Sequence, residues 1–407
     1  MTKNWQRNII LFLASQTISL FGSSLVQYAI MWYITLETKS GIMMTISIIC
    51  GFLPTLFLSP FAGVWVDRFS RKSLIILADA LIALSTLISA IIFIKGFGSL
   101  WLLFVMSAIR ALGAAVQMPA VGALIPQIVP EDKLTQVNGA NGSIMAIVNL
   151  ISPMVSAALL TMTTLELIFF IDVVTAIIAI LILLLFLPIP VHAKALNKEP
   201  ISYFNDLAQG FNYIKKHEFI KKFFYFMAIF LILVTPVAFL TPLQVARSFG
   251  DDVWRLTAIE IAFSLGMMAG GAIIATWGGF KNKIHTMTLS IFLTGMLTFL
   301  LGVTPIFSLY LVFMVISGVA MPIFHTPATV LLQEKVEADF LGRIFGILTM
   351  ISSAVMPLGM LVFGPLSDLI EIEWLLMGTG LLIFIQGFFL IKNNALLEAG
   401  KPIVKQE

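Results

Sequence analysis

The sequence has few charged residues and almost no cysteine. Only 11% of its 407 residues are charged and 59% are hydrophobic, whereas about 25% of an ordinary soluble domain is charged. This composition excludes a soluble globular enzyme, a disordered protein and a nucleic-acid-binding domain. The single Cys50 excludes a disulfide framework, a zinc site and an iron–sulfur cluster. No Gly-x-x-x-x-Gly-Lys-Ser/Thr sequence occurs, so the chain does not itself hydrolyse ATP.

Long uncharged runs define the organisation of the chain. A helix needs about 20 apolar residues to span a bilayer. The uncharged run 284–333 is too long for one helix, and Thr304-Pro305 is the natural turn that divides it. The sequence predicts an all-α polytopic membrane protein with twelve transmembrane helices, at 9–35, 41–66, 73–94, 99–123, 139–162, 166–187, 223–246, 256–277, 285–304, 307–330, 342–366 and 373–391.

The distribution of Lys and Arg predicts the orientation. If the N-terminus is inside, the inner segments hold 19 basic residues and the outer loops hold 4, namely Lys39, Lys95, Arg247 and Arg255. Cytoplasmic loops carry the excess of Lys and Arg in membrane proteins. We therefore expect both termini to be cytoplasmic, and we interpret the basic residues as topology signals.

The two halves of the chain resemble repeats. Met118-Pro119-Ala120 is matched by Thr326-Pro327-Ala328, and Ser152-Pro153 by Met356-Pro357. The pattern predicts an N-terminal six-helix bundle at 1–187, a cytoplasmic linker at 188–222, and a C-terminal six-helix bundle with a short tail at 223–407. Two such halves are typical of a transporter that rocks about a site at the membrane midplane.

The linker 188–222 contains six Lys and a short apolar pattern. Phe204, Leu207, Phe211 and Ile214 fall at helical spacing. This spacing predicts an amphipathic helix on the inner membrane surface. The alternative is a simple basic tether between the halves.

One motif resembles a known family. Gly63-x-x-x-Asp67-Arg68-x-Ser70-Arg71-Lys72 is similar to the loop-2–3 signature of the major facilitator superfamily, with Ser70 where Gly is usual. Other stretches resemble its macrolide-efflux branch, among them Gly51-Phe-Leu-Pro54, Phe170-Ile-Asp172-Val173, Glu260-Ile-Ala-Phe263 and Gly266-Met267-x-Ala269-Gly270-Gly271.

The resemblance implies two pseudo-symmetric bundles in a bacterial cytoplasmic membrane and proton-coupled export of amphiphilic drugs such as macrolides. We expect no cofactor and no nucleic-acid partner; the partners are the substrate, protons and the lipid bilayer. We expect a monomer, with a separate ATPase as an alternative partner. The alternative substrates are lysophospholipids and siderophores. A membrane-embedded enzyme or a channel is disfavoured, because neither a nucleophile–base cluster nor a repeated filter sequence occurs.

The resemblance also implies a gating latch. Asp67 would dock at the N-terminus of the eleventh span, near Asp339 and Arg343, where the helix dipole favours an anion. Further charge pairs between the halves would come from Arg68, Arg71 and Lys72, and Gly63, which begins the same motif, belongs to the latch. The alternative is that these three bases serve topology alone.

Four ionisable residues fall inside predicted spans. Arg110 lies about 17 Å into its span at 1.5 Å per residue, and its guanidinium stays charged, so it must face a cavity or a partner. We expect it to take part in proton coupling by tuning an acid, without carrying the proton; the alternative is a structural hydrogen-bond cluster between helices. Asp172 and Glu260 lie towards the outer half and are the candidate proton carriers, with Asp172 preferred. The alternatives are a structural pair for Asp172 and a helix-start role for Glu260. Asp79 is expected close to the inner surface and to water, and for it we favour a structural role.

Polar and adaptable side chains on otherwise apolar helices suggest a substrate pathway. Amides in membrane spans often join helices to one another, but some of them must line the pathway. Phe and Met suit an adaptable apolar pocket, although lipid-facing packing is the commoner use. The predicted pathway residues are Gln16, Gln27, Gln117, Asn149, Phe263 and Met267.

Overall fold

The computed structural model describes residues 5–188 and 203–401, with the backbone alone at a few positions that include Asp67, 203–208, Ala338, Asp339 and Gly342. The first six helices are α1 (Trp5–Thr38), α2 (Gly41–Arg68), α3 (Arg71–Ile94), α4 (Leu100–Ile128), α5 (Leu134–Met162) and α6 (Leu165–Phe186). Those that follow are α7 (Tyr203–Lys216), α8 (Glu218–Phe239), α9 (Thr241–Ser248), α10 (Val253–Trp277), α11 (Lys283–Val303), α12 (Phe307–Lys335), α13 (Ala338–Leu369), α14 (Ile372–Lys392) and α15 (Asn394–Ala399).

The described residues contain 12 helical segments long and apolar enough to cross a membrane. They contain no β-strand. The prediction of an all-α polytopic protein is therefore confirmed. The seventh segment, Glu218–Ser248, is made of α8 and α9 with a turn at Leu240 between them. Pro236 near the end of α8 and Pro242 at the start of α9 account for this interruption, since proline cannot donate a backbone hydrogen bond.

Short polar loops begin several of the helices. Ser70 accepts a hydrogen bond from the Ser73 amide at the start of α3. Ser99 accepts one from the Leu102 amide at the start of α4. Each side chain satisfies a backbone donor that has no partner within its helix. These caps fix where α3 and α4 enter their apolar runs.

The chain divides into two compact units. The first unit comprises residues 1–37 and 46–201, and the second comprises 38–45 and 202–407. The first is packed around buried apolar side chains of α1, α3, α4 and α6, namely Phe12, Ile75, Leu124, Ile125 and Leu183. Many outward-facing side chains are large and apolar, for example Leu185 with 69% of its surface exposed. Such a surface suits a lipid environment.

The second unit depends on close helix contacts at glycine. A Cβ at Gly266 of α10 would lie 1.9 Å from the carbonyl oxygen of Val315, and one at Gly318 of α12 would lie 2.2 Å from that of Phe263. Gly295 of α11 and Gly380 of α14 approach each other in the same way. Small residues let membrane helices pack backbone to backbone. These glycines therefore set the spacing of two helix pairs.

The segment 38–45, at the start of α2, belongs to the second unit. The Asp368 carboxylate accepts hydrogen bonds from the amides of Gly41, at 2.7 Å, and Ile42, at 3.0 Å. Arg247 donates to the same carboxylate at 2.6 Å. Lys39 pairs with Asp251 at 2.8 Å and holds the pKa of that carboxyl below its usual range. Asp368 thus caps α2, and an anion is favoured at a helix N-terminus.

The predicted linker segment 188–222 contains α7, which packs within the second unit. Along α7, Tyr213 and Ile214 are buried, whereas Phe211 is 40% exposed. The Tyr213 ring stacks on Phe340 with centroids 4.4 Å apart. The side chains of Phe204 and Leu207 lie outside the described residues. The linker bounds 188–222 and the contact of α7 with a membrane surface stay predictions.

Candidate functional site

A buried charged cluster joins four helices of the first unit. Arg110 of α4 forms an ion pair with the Asp172 carboxylate of α6, and it also donates to the Thr86 hydroxyl of α3 at 2.5 Å. The Arg110 guanidinium reaches the carbonyl oxygen of Ser23 on α1 at 3.1 Å, and the Ser23 hydroxyl donates to Asp172 at 3.1 Å. Asp172 is fully buried and Arg110 is 11% exposed. We name these four residues the paired layer.

Glycines allow the helices of this cluster to approach. A Cβ at Gly22 of α1 would lie 1.9 Å from the Thr175 hydroxyl of α6, next to Asp172. A Cβ at Gly113 of α4 would lie 2.6 Å from the Ile82 side chain of α3. Short side chains at the neighbouring Ser23 and Thr86 can therefore reach the ion pair directly. Gly22 thus precedes Ser23 in the sequence, at a point where the contacts of Ser23 require closely packed helices.

A second buried cluster lies one to two turns along the same helices. Asp79 of α3 is 1% exposed. Its Oδ1 accepts from the Gln117 amide at 2.6 Å and from the Ser19 hydroxyl at 3.0 Å. Its Oδ2 is buried and makes no hydrogen bond with any of the described residues. We name Asp79, Ser19 and Gln117 the unpaired layer, because no basic side chain contacts this carboxylate within the described part of the chain.

These two layers change the interpretation of two acids. Asp172 has a basic partner, which favours the alternative of a structural pair with a neighbouring helix. From the sequence, Asp79 was expected close to the inner surface and to water; the contact with water is wrong, because its side chain is almost fully enclosed by protein. An ionised carboxylate buried without a cation is strongly disfavoured. Unlike Asp172, Asp79 is therefore buried without a basic partner among the described residues.

The predicted pathway amides do not form one group. Gln117 belongs to the unpaired layer. Gln16 is nearly buried and lies 3.5 Å from the Ser15 hydroxyl. Gln27 and Asn149 are exposed side chains on α1 and α5. Among these four, only Gln117 contacts an ionisable residue within the described part of the chain.

The predicted acid of the second unit lies on an open helix face. Glu260 is partly exposed, and no ion pair or hydrogen bond of its carboxylate is found within the described residues. Met267 lies two turns along α10 on the same face, with Phe263 at its edge, and Met267 is 40% exposed. A Cβ at Gly271, one turn further, would meet nothing within 4 Å. This face adjoins the one that packs against α12, so it combines one carboxylate with adaptable apolar side chains.

The bases of the loop-2–3 motif contact the first unit. Arg71 donates to the carbonyl oxygen of Ala123 at 2.7 Å, and Lys72 donates to that of Leu187 at 2.8 Å, at the end of α6. Arg68 is exposed and Gly63 is partly exposed. In the second unit, Arg343 stacks on the Phe340 ring. The side chains of Asp67 and Asp339 lie outside the described residues, so the latch stays a prediction.

Sequence reasoning missed the hydroxyl residues and one amide contact. Ser19 and Ser23 are four residues apart on α1, so they lie on one face, while Asp79 and Thr86 are seven apart on α3, as are Arg110 and Gln117 on α4. These spacings could have predicted two stacked layers. The signal was weak because single hydroxyls in membrane spans usually bond to their own helix, as Thr288 and Thr379 do here.

The comparisons with known proteins agree with this architecture. A family model described as Major Facilitator Superfamily matches residues 12–360. Macrolide efflux protein A of Streptococcus pyogenes is 29% identical over 385 residues, covering 94% of this chain and 95% of the relative. A protein of the same name from Enterococcus faecalis is 29% identical over 323 residues, 79% of this chain and 99% of the relative. The crystal structure of a mutant of the nucleoside transporter NupG superposes with a TM-score of 0.72 at 14% identity, covering 95% of this chain and 99% of NupG.

Proposed function

The chain belongs to the Major Facilitator Superfamily, and we propose that it exports macrolide-like amphiphilic drugs in exchange for protons by alternating access. The observation that carries the substrate class is the 29% identity to Macrolide efflux protein A across 94% of the chain. Membrane-embedded acids in both units support the coupling to protons, since such residues mark ion and proton pathways. We propose that the chain works as a monomer.

We propose that both termini are cytoplasmic. The support is the excess of Lys and Arg in the segments assigned to the inner side, 19 residues against 4 in the outer loops. With this orientation, Asp79 lies towards the cytoplasmic end of α3, which begins at Arg71. Asp172, which follows the start of α6 at Leu165, lies towards the outer end.

We propose that the paired layer takes part in coupling. The Arg110 guanidinium keeps its charge, so it can tune an acid but cannot carry the proton. Protonation of Asp172 would cancel its attraction for Arg110 and loosen the contacts that join α1, α3, α4 and α6. A proton could in this way change the packing of the first unit.

We propose that the open face of α10 contacts the substrate. Macrolide-like drugs are bulky and apolar, and many carry a protonated amine. Phe263 and Met267 supply adaptable apolar contact, and Glu260 supplies a carboxylate that is not engaged by any basic side chain of the described residues. The Glu260 carboxylate would attract the amine of the drug, while Phe263 and Met267 would contact its apolar part.

The gating latch remains part of the proposal. Asp67 precedes the last residue of α2, and Asp339 is the second residue of α13, where backbone amides are unsatisfied by the helix. An anion docked there would favour one conformation over the other. The observed contacts of Arg71 and Lys72 suggest that these two bases also hold the first unit together.

Expression in a host that lacks its own efflux pumps tests the proposal. We expect the chain to raise the inhibitory concentration of macrolides several-fold. In proteoliposomes, uphill drug movement should stop when an ionophore collapses the proton gradient. Transport of lysophospholipids or siderophores without transport of macrolides would contradict the substrate class. Uphill drug movement that persists without a proton gradient would contradict the coupling.

The substitution Glu260→Gln tests the α10 face. It keeps the size of the side chain and removes its charge, so we expect resistance to cationic macrolides to fall while resistance to uncharged amphiphiles stays the same. Glu371→Gln is the matched control, because Glu371 is exposed in the turn before α14. Equal losses for cationic and uncharged drugs would contradict a role in recognising the amine.

A further inference from the structure

We propose that Asp79 is a proton-binding site of the first unit, loaded in this conformation and emptied when a cationic amine reaches the adjacent face of α4. This inference rests on the proposed function for its role in export. The binding of a proton at Asp79 is a separate claim, which can be measured without any drug.

The contacts of Asp79 distinguish its two oxygens. Oδ1 accepts two hydrogen bonds, from Gln117 at 2.6 Å and from Ser19 at 3.0 Å. Oδ2 is enclosed and has no partner among the described residues. An oxygen with two donors is already satisfied, so the proton belongs on Oδ2. The arrangement therefore presents one binding position for a proton.

The charges around Asp79 leave it without a counter-ion. On α4 the charged residue is Arg110, and on α6 the nearest is Asp172, and these two neutralise each other. Ser19, the contact from α1, is neutral. Arg71 and Lys72, at the start of α3, donate to backbone carbonyls of α4 and to the end of α6. Burial strongly disfavours the charged form of a carboxylate that has no counter-ion, so the neutral acid is the stable form here.

Gln117 connects this enclosed acid to an accessible face. Arg110 is 11% exposed, and a guanidinium at this depth does not face lipid. Gln117 lies seven residues further along α4, about two helical turns, and is also partly exposed. The two side chains therefore lie on one face of α4, and each is partly exposed. A molecule that reaches this face can compete for the Gln117 amide.

The exchange follows from this geometry. When water or a ligand reaches the α4 face, the acid proton leaves Oδ2 for water and the carboxylate remains, stabilised by Ser19 and Gln117. An ammonium group on the ligand stabilises that carboxylate further. Proton and cationic drug therefore favour opposite states of Asp79, and each lowers the affinity for the other, as linkage requires.

Infrared difference spectroscopy during a pH titration tests the site directly. The probe is the C=O stretch of a protonated carboxylic acid in the purified, lipid-reconstituted protein. We expect a titrating band in the wild type that is absent in Asp79→Asn, which keeps an oxygen for Ser19 and Gln117 but cannot lose the proton. The matched control is the double variant Arg110→Gln/Asp172→Asn, in which we expect the band to remain.

The outcomes separate this inference from the proposed function. A band that persists in Asp79→Asn, or disappears in the double control, would overturn the assignment, as would the absence of a titrating band in the wild type. The same vesicles then give a transport readout. We expect Asp79→Asn to lose gradient-driven export of a cationic macrolide at least tenfold and to keep downhill exchange. If the band behaves as expected but no drug is moved by any variant, the proton site stands and the proposed substrate fails.

Discussion

Asp172→Asn should lower the free energy of unfolding by about 3–5 kcal/mol, the usual cost of removing one partner of a buried ion pair. Asp172 is fully buried and Arg110 nearly so, so the substitution leaves a guanidinium enclosed without its counter-charge. The hydrogen bond from Ser23 to the carboxylate would weaken as well. The measurement is thermal or denaturant unfolding of the purified protein in detergent.

The double variant Arg110→Gln/Asp172→Asn supplies the comparison. It removes both charges, and replacement of a complete buried pair is often nearly neutral. We therefore expect it to recover most of the lost stability. Glu260→Gln, which breaks no ion pair of the described residues, should change stability little. If Asp172→Asn unfolds at the wild-type midpoint, the pair does not hold the four helices together.

Gly266→Ala should separate α10 from α12 and destabilise the second unit by about 1–3 kcal/mol or more, the range for overpacked sites. The new Cβ would lie 1.9 Å from the carbonyl oxygen of Val315, and a backbone atom cannot move aside as a side chain can. A Cβ at the opposing Gly318 would likewise clash with the carbonyl oxygen of Phe263. A loss of folded protein after solubilisation, seen by fluorescence-detected gel filtration, is the expected result.

Gly271→Ala is the matched control on the same helix. Its Cβ would meet nothing within 4 Å, so no clash opposes it. Alanine also favours a helix over glycine by about 0.5–1 kcal/mol. We expect this variant to be as stable as the wild type or slightly more so. Equal losses for the two variants would show that the close contact of Gly266 with Val315 is not the cause of the destabilisation.

The transmembrane helices could be predicted from sequence because a bilayer imposes one simple requirement. About 20 apolar residues are needed per span, and the observed α3, Arg71–Ile94, and α6, Leu165–Phe186, match the predicted 73–94 and 166–187 closely. Burial in a bundle is different, because it depends on which faces meet. The position of Asp79 within α3 follows from the sequence, but its enclosure by α1 and α4 could not be read from α3 alone.

The pairing of Arg110 with Asp172 was also beyond the sequence. Both residues were identified as intramembrane charges, but three acids were available as partners for one base. The close contact of α1 with α6 at Gly22 lies beside Asp172. The Thr86 hydroxyl of α3 donates to the Asp172 carboxylate. These contacts between helices place Asp172, and not another acid, beside Arg110. Which acid pairs with Arg110 therefore depends on tertiary packing, and the residue pattern of a single helix cannot predict it.

The position of the segment 38–45 has a consequence for how the protein is made. Gly41 is synthesised 327 residues before Asp368, the side chain that caps its helix. During translation, the first amides of α2 therefore cannot bond to the Asp368 carboxylate until α13 has been inserted. Until then, water must accept their hydrogen bonds. A gene cut at the linker would also yield a second fragment without residues 38–45. In that fragment Asp368 would lose the amides of Gly41 and Ile42, so the two fragments should assemble better when produced together than when mixed after separate purification.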